Sequence, residues 1–157
     1  MATTRAVLTP LSAEFPASAY AALTTVNARP ALAFDAATDE SVLWTFIAWQ
    51  GISGALTAVL TLSGNAASAN STYWEVSLEA VGAGESATTD SFATVNTGNV
   101  AMDATQGETS SLSITLTNDD SIAAGDLVRI RVTRDANHAS DNFAADAYLY
   151  AVEIREA

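Results

Sequence analysis

The chain has 157 residues, the usual size of a single domain and enough to bury one sizeable core. It contains no cysteine, which excludes disulfide bonds and thiolate metal sites. Eighteen acidic residues against six arginines, with no lysine, give a net charge of −12, and a field of that sign repels nucleic acid and anionic lipid.

The N-terminal segment differs from the rest of the chain because its apolar side chains follow no steady period. It has no basic patch followed by an apolar run, and no stretch of the chain approaches the roughly 18 apolar residues of a membrane span. We therefore expect neither a cleaved secretion signal nor membrane insertion. The segment predicts an extended N-terminal arm over residues 1–28, followed by a single β-sandwich domain over residues 29–157.

The arm is expected to lie against protein, since in isolation it would expose five large apolar side chains to water. These are Leu11, Phe15, Tyr20, Leu23 and Val26. Two alternatives are open: the arm wraps its own sandwich, or it reaches a neighbouring subunit, with Phe15, Tyr20 and Leu23 as candidate interface residues. Deletion of residues 1–28 is expected to leave a folded sandwich.

Two-residue alternation dominates after residue 30 and predicts about eight β-strands. The predicted strands lie in PALAFDA (30–36), SVLWTFIAW (41–49), GALTAVLTL (54–62), STYWEVSLEA (71–80), TGNVAMDA (97–104), SLSITLTN (111–118), LVRIRVTRD (127–135) and ADAYLYAVEIRE (145–156). Eight short strands in one domain predict an all-β fold, a two-sheet antiparallel sandwich and a jelly roll in preference to an open barrel.

The segment 41–49 is apolar on both faces, which suits a strand in the middle of a sheet or one covered by another subunit. Trp44, like Trp74, lies among apolar neighbours at strand spacing and is predicted to be core. Trp49 stands at a strand end and is predicted to be exposed. An exposed tryptophan there suits a protein contact or a glycan, and we favour the contact.

The segment NDDSIAAGDLVRIRVTRD (118–135) joins an acidic half to an alternating half. Asn and Asp favour turns because their side chains bond nearby backbone N–H groups, so residues 118–120 predict a turn, with Gly125 relaxing the backbone before the strand. A calcium site in these Asp/Asn-rich loops is the weaker alternative. In the second half the aliphatic residues face the core, and Arg129 and Arg131 fall on the solvent or partner face.

No catalytic set can be recognised. His138 is the only histidine and lies in a polar loop, without a nucleophile on a strained elbow beside it. Glu75 and Glu79 share a strand face, but four residues of extended chain separate them by about 13 Å, too far for a glycosidase pair. We expect no enzyme activity, no cofactor and no metal.

Several stretches resemble a recurring group of small jelly-roll-like virion proteins of tailed bacteriophages and prophages. They are FPASAYAALTTVNARPALAFDAATDESVLWTFIAWQG (15–51), TYWEVSLEA (72–80) and NDDSIAAGDLVRIRVTRDA (118–136). The shared motifs are F-P-x-S, R-P-x-L-A-F-D, W-T-F and D-S-I-A-A-G-D. Many members of this group carry proline after the W-T-F strand, where this chain has Trp49.

The resemblance implies a bacteriophage virion structural protein, most simply a capsid decoration (cement) protein. Such a protein would form a homotrimer on the major capsid protein at the outer surface of the virion, after synthesis in the host cytoplasm. It would bridge capsomers against the pressure of packaged DNA. The alternative is a tail or fibre module that binds a host-surface glycan, with Trp49 as its platform.

Overall fold

The computed structural model describes residues 1–157 and contains ten β-strands and one 3₁₀ turn at Pro10–Ser12. The strands are β1 (Thr3–Leu8), β2 (Ala22–Val26), β3 (Arg29–Phe34), β4 (Glu40–Ile47), β5 (Leu56–Gly64), β6 (Ser71–Val81), β7 (Asn96–Ala101), β8 (Thr109–Thr115), β9 (Leu127–Arg134) and β10 (Ala147–Glu156). No helix is long and apolar enough to cross a membrane.

The strands form two antiparallel sheets, which confirms the predicted all-β sandwich. The six-stranded sheet has the order β2-β3-β10-β5-β8, with β1 pairing on β10, and the four-stranded sheet has the order β4-β9-β6-β7. Strands β3 to β10 are the eight that alternation predicts. In β9, for example, Val128, Ile130 and Val132 are fully buried between the sheets, as the pattern requires.

Trp44 and Trp74 lie in the core, as predicted. Trp74 is fully buried and packs edge-on against Phe34, with ring centroids 4.9 Å apart. Its indole N–H donates to the Thr72 hydroxyl at 2.8 Å, and that of Trp44 donates to the Thr9 carbonyl at 3.0 Å. Each buried indole therefore has the hydrogen-bond partner that its N–H needs.

Residues 1–28 lie on their own sandwich, which is the first of the two alternatives. β1 pairs with β10, and β2 forms a hairpin with β3. The predicted boundary at residue 28 falls inside that hairpin, where Asn27 and Ala28 have φ of 49° and 59°. Deletion of residues 1–28 would remove β2 from its pairing with β3 and β1 from its pairing with β10, so the expectation that it leaves an intact sandwich is not supported. Contact of this segment with a neighbouring subunit stays a prediction.

Strand β4 lies at an edge of the four-stranded sheet and pairs only with β9 along its length, so its predicted place in the middle of a sheet is wrong. Part of its apolar outer face is covered by the chain's own N-terminal segment, which bridges to it at Glu14 and Tyr20. The remainder is open, and Ile47 is 62% exposed. The outer face of β4 is therefore covered by the N-terminal segment near Leu43 and open to solvent at Ile47.

Arg134 closes one end of the sandwich from inside. It is fully buried, and its guanidinium donates to both carboxylate oxygens of Asp141 at 2.9 Å. It also donates to the backbone carbonyls of Phe34, Asp35, Phe143 and Ala145 at 2.6 to 3.3 Å. One side chain thereby ties the loop before β10 to the end of β3.

Candidate functional site

The outer face of the four-stranded sheet carries the arginines that the sequence predicts for a partner surface. Arg129 and Arg131 alternate with buried residues of β9 and point away from the core. In the register, Arg129 lies between Thr45 and Glu79, and Arg131 lies between Leu43 and Ser77. The strand parity therefore places both guanidinium groups on this face, as predicted.

A groove of about 340 Å³ opens on this face, and we call it the arginine groove. It is lined by Glu14, Phe15, Pro16, Ser18, Ser41, Leu43, Phe92, Arg129 and Arg131. One wall belongs to the N-terminal segment and the other to the connection between β6 and β7. The groove thus joins parts of the chain that are more than 100 residues apart in sequence.

The two arginines have different partners. Arg129 donates to the carboxylate of Glu79 at 3.1 Å, and that carboxylate is almost completely buried. Arg131 makes no ion pair and no side-chain hydrogen bond. The three ion pairs outside the groove are made by Arg5, Arg134 and Arg155. The second arginine of the groove therefore keeps its donors free.

Both arginines are held against the ring of Phe92. The guanidinium carbons of Arg129 and Arg131 lie 5.2 and 4.5 Å from the ring centroid, within the range of cation–π contacts. Phe92 is itself fixed by the main chain, since the Ala93 N–H donates to the Leu78 carbonyl at 2.8 Å. Phe92 could not be predicted as a site residue, because it lies in a connection without strand periodicity.

Phe15 and Tyr20 are brought to the same place. Their rings meet edge to face with centroids 5.8 Å apart, and both remain partly exposed. The backbone of Glu14 exchanges two hydrogen bonds with Leu43 of β4, at 2.7 and 2.9 Å. These bonds anchor the aromatic pair beside the arginine groove, so four of the six predicted interface residues share one region.

Leu23 lies elsewhere, on edge strand β2 of the other sheet. With Leu11, Thr24, Thr25 and Pro30 it lines a depression of about 400 Å³. Leu11 is 73% exposed and Leu23 is 51% exposed, so both present apolar surface to solvent. We call Val7, Leu11, Phe15, Tyr20 and Leu23 the N-terminal apolar surface.

Trp49 is not the exposed platform that the sequence predicts. Its ring is half-buried against the core, and its indole N–H donates to the Glu156 carboxylate at 3.0 Å. The same carboxylate accepts from the backbone N–H groups of Ser53 and Gly54 and pairs with Arg5. These contacts, chiefly those two backbone N–H groups, lower the pKa of Glu156 to about 2. We call these contacts of the Glu156 carboxylate with Trp49, Ser53, Gly54 and Arg5 the Glu156 clamp. Trp49 therefore has a structural role.

The Asp carboxylates in the loop between β8 and β9 accept hydrogen bonds from backbone N–H groups. Asp119 accepts from the Ser121 N–H at 3.1 Å, and Asp120 accepts from the Ala80 N–H at 2.8 Å. The Ile122 N–H donates to the Asp119 carbonyl at 3.3 Å, so the predicted turn forms, but over residues 119–122 and not 118–120. Gly125 has φ of 92° in a second turn directly before β9. No group of three or more His, Asp and Glu side chains is placed to share a metal ion.

His138 lies in a turn, and its ring stacks on Tyr73 with centroids 3.5 Å apart. Its Nδ1 accepts the Ser140 N–H at 3.0 Å. Glu75 is on the same sheet face. Burial, with a smaller contribution from the charge of Asp135, raises the pKa of Glu75. The arrangement places no nucleophile against the imidazole.

No family model matches the sequence, and no curated protein matches it. Solved structures share the fold. One is a cycloisomaltooligosaccharide glucanotransferase of Paenibacillus sp. complexed with cycloisomaltoheptaose, at 10% identity and TM-score 0.52, over 94% of this chain and 18% of that one.

Two other similar structures are glycosidases. An arabinose-bound GH51 α-L-arabinofuranosidase has 15% identity and TM-score 0.53, over 91% of this chain and 23% of that one. A GH115 4-O-methyl-α-glucuronidase with specificity for decorated arabinogalactans has 11% identity and TM-score 0.54, over 99% and 18%. This chain spans less than a quarter of each of these proteins, and the likeness shows the fold alone.

Proposed function

We propose that this chain is a non-catalytic structural protein of a bacteriophage virion. The observation that carries the proposal is the N-terminal apolar surface, where five large side chains between residues 7 and 23 are 42 to 73% exposed. Several large apolar side chains exposed along one segment favour a protein contact. The low charged fraction of 15% adds to this, because few charges need to be desolvated when such a surface is covered.

The specific role that we propose is capsid decoration. A homotrimer would sit on the major capsid protein at the outer surface of the virion and bridge neighbouring capsomers. Burying the N-terminal apolar surface against them would add about 25 cal/mol for each Å² of apolar area removed from water. An acidic protein is suited to the outside of the shell, where it does not meet the packaged DNA.

The motifs that carry the phage resemblance occupy defined places in the fold. Phe15, Pro16 and Ser18 of the F-P-x-S motif line the arginine groove, and R-P-x-L-A-F-D forms most of β3. W-T-F lies in β4, and D-S-I-A-A-G-D forms the turn before β9. Most of these positions build the scaffold, whereas the first motif also shapes an exposed surface.

The test uses purified protein and expanded capsids of the source particle. We expect the protein to bind and to raise the temperature at which the capsids rupture. A Leu11→Ser/Leu23→Ser variant should remain folded, because both side chains are exposed, and should bind at least about tenfold more weakly. Ile47→Ser, which removes an equally exposed apolar side chain from β4, is the matched control and should bind like the parent.

Three results would contradict the proposal. Absence of binding, or binding that leaves the rupture temperature unchanged, would refute the cement role. Equal binding by the Leu11→Ser/Leu23→Ser variant would show that another surface makes the contact. A protein that sediments as a monomer, both free and when released from capsids, would refute the homotrimer.

A tail or fibre module that binds a glycan is the second candidate function, and the arginine groove favours it. Its aromatic walls and guanidinium floor are the groups that sugar-binding sites combine. Trp49→Ala is not a suitable test of this candidate, since Trp49 donates to the Glu156 carboxylate and its loss would disturb the fold. The test moves to the residues of the groove.

A further inference from the structure

The arginine groove contains a guanidinium that makes no direct ion pair or side-chain hydrogen bond, although the charge of Glu75 lies near enough to interact with it. Arg131 makes no ion pair, and its guanidinium is held 4.5 Å from the Phe92 ring centroid. Directly opposite it in the register is Ser77, whose buried hydroxyl has no hydrogen-bond partner. Free donors and an unsatisfied hydroxyl therefore occur side by side on one face of an otherwise acidic protein.

The free guanidinium fits a carboxylate. A guanidinium offers two parallel N–H groups that match the two oxygens of a carboxylate, and the contact with the Phe92 ring restricts its position before the ligand arrives. Arg129 is already paired with the Glu79 carboxylate, so the donors available to a ligand are those of Arg131. The position of Arg131 thus selects an anionic group with a planar, two-oxygen edge.

The walls of the groove fit a sugar ring attached to that carboxylate. Phe15 is 42% exposed and offers an apolar ring face, while Ser18 and Glu14 also line the groove and bring polar groups to it. The volume of about 340 Å³ lies at the lower end of the range of small-ligand sites. The groove therefore has room for a single hexuronic acid unit.

The net charge of the protein limits how many carboxylates the ligand can carry. At −12, the chain repels a polyanion over its whole length, while one carboxylate can make direct charge-assisted hydrogen bonds with Arg131. We propose that the arginine groove binds a single uronic acid residue carried by an otherwise neutral glycan. The inference rests on the second candidate function, whose ligand class it names, and it does not depend on the capsid role.

The experiment compares methyl β-D-glucuronide with methyl β-D-glucoside, which differ only in the carboxylate. Each is titrated to millimolar concentration into the full-length protein, and binding is followed by backbone amide chemical shifts. We expect the glucuronide to shift residues of the groove and the glucoside to bind at least about tenfold more weakly, because it lacks the charge-assisted hydrogen bonds. Oligogalacturonate should bind more weakly per uronate than the monosaccharide.

Two variants assign the effect to the groove. Arg131→Gln should weaken glucuronide binding at least about tenfold, and Arg131→Lys should restore only part of it, since an ammonium lacks the planar fork. The matched control is Arg29→Gln. Arg29 also lacks an ion pair but lies outside the groove, and its substitution makes the same change in net charge, so glucuronide binding should stay like that of the parent.

The outcomes separate this inference from the function on which it rests. If neither glycoside binds, the glycan-binding function fails together with the inference. If both bind equally, or if Arg131→Gln binds like the parent, the glycan function stands and the uronate inference is overturned. If an acetylated glutamate dipeptide binds as tightly as the glucuronide and shifts the same residues, the groove is a site for a protein carboxylate, which also overturns the inference.

Discussion

Two charged regions at and beside β9 are built in opposite ways. Arg134 is buried, and its donors all have partners: one carboxylate and four carbonyls. Arg131, three residues earlier, lies on the outer face with no carboxylate partner. The buried guanidinium stabilises this fold, whereas the outer one keeps its donors available. Strand parity alone decides which arginine enters the core and which remains free to bind.

The largest expected effect comes from breaking the buried centre. Arg134→Met removes the guanidinium that donates to four carbonyls and leaves the buried Asp141 carboxylate without its counter-charge and with only the Tyr73 N–H as a donor, so we expect a loss of about 3–5 kcal/mol in the free energy of unfolding. This is a large part of the roughly 5–15 kcal/mol that holds a typical domain. The measurement is the midpoint of urea unfolding.

Arg131→Met is the matched control for that prediction. It removes the same charge from the same strand but leaves no carboxylate unpaired, so we expect a change of less than about 1 kcal/mol. Equal costs for the two variants would mean that parity on β9 does not separate a stabilising arginine from a free one.

Glu156 is a second charged group whose partners lie within the protein, but here the central group is a carboxylate and not a guanidinium. Its pKa is lowered to about 2 from an ordinary value of 4.5. Its contribution to stability is therefore complete above pH 4.5 and is lost as the pH falls from 4.5 towards 2. We expect the melting temperature of Glu156→Gln to lie several degrees below that of the parent at pH 7, and the two curves to converge as the pH approaches 2. Parallel curves would contradict the clamp.

The smallest effect belongs to the outer face. Burial raises the pKa of Glu75, so its folded state binds a proton more readily than its unfolded state. Its contribution to stability is favourable below the ordinary pKa and is lost as the pH rises through the raised value. Glu75→Gln should therefore stabilise the protein at pH 7, by about 0.5 kcal/mol or less, and this gain should vanish in acid. A variant less stable than the parent at pH 7 would contradict this sign.

Alternation made β3 to β10 predictable because each of them buries one face. β1 and β2 were not predicted, because each is held chiefly by main-chain pairing at a sheet edge. In β1 only Leu8 is buried, and in β2 Leu23 points outwards, so neither strand has a two-residue apolar pattern to recognise. Edge pairing depends on where the neighbouring strand lies, which the local sequence does not contain.

The residues of the candidate site likewise divide into those that the local sequence predicts and those that it does not. Arg129 and Arg131 were placed correctly, because parity fixes the face of a strand residue. The burial of Arg134 was missed, although it continues the core parity of Val128, Ile130 and Val132 and has Asp141 seven residues later as a partner. For Trp49 the sequence offered no such signal, since its partner Glu156 lies 107 residues away and meets it only through the fold.

The antiparallel pairing of β1 with β10 places Thr3 opposite Glu156, so both termini of this chain emerge side by side from the ends of two neighbouring strands of the six-stranded sheet. A short glycine-rich linker can join them, and new ends opened in the exposed connection between β6 and β7 would give a circular permutant that retains every strand pair. A label fused to either end is likewise displayed from the same end of this strand pair, on the sheet opposite the two outward-facing arginines.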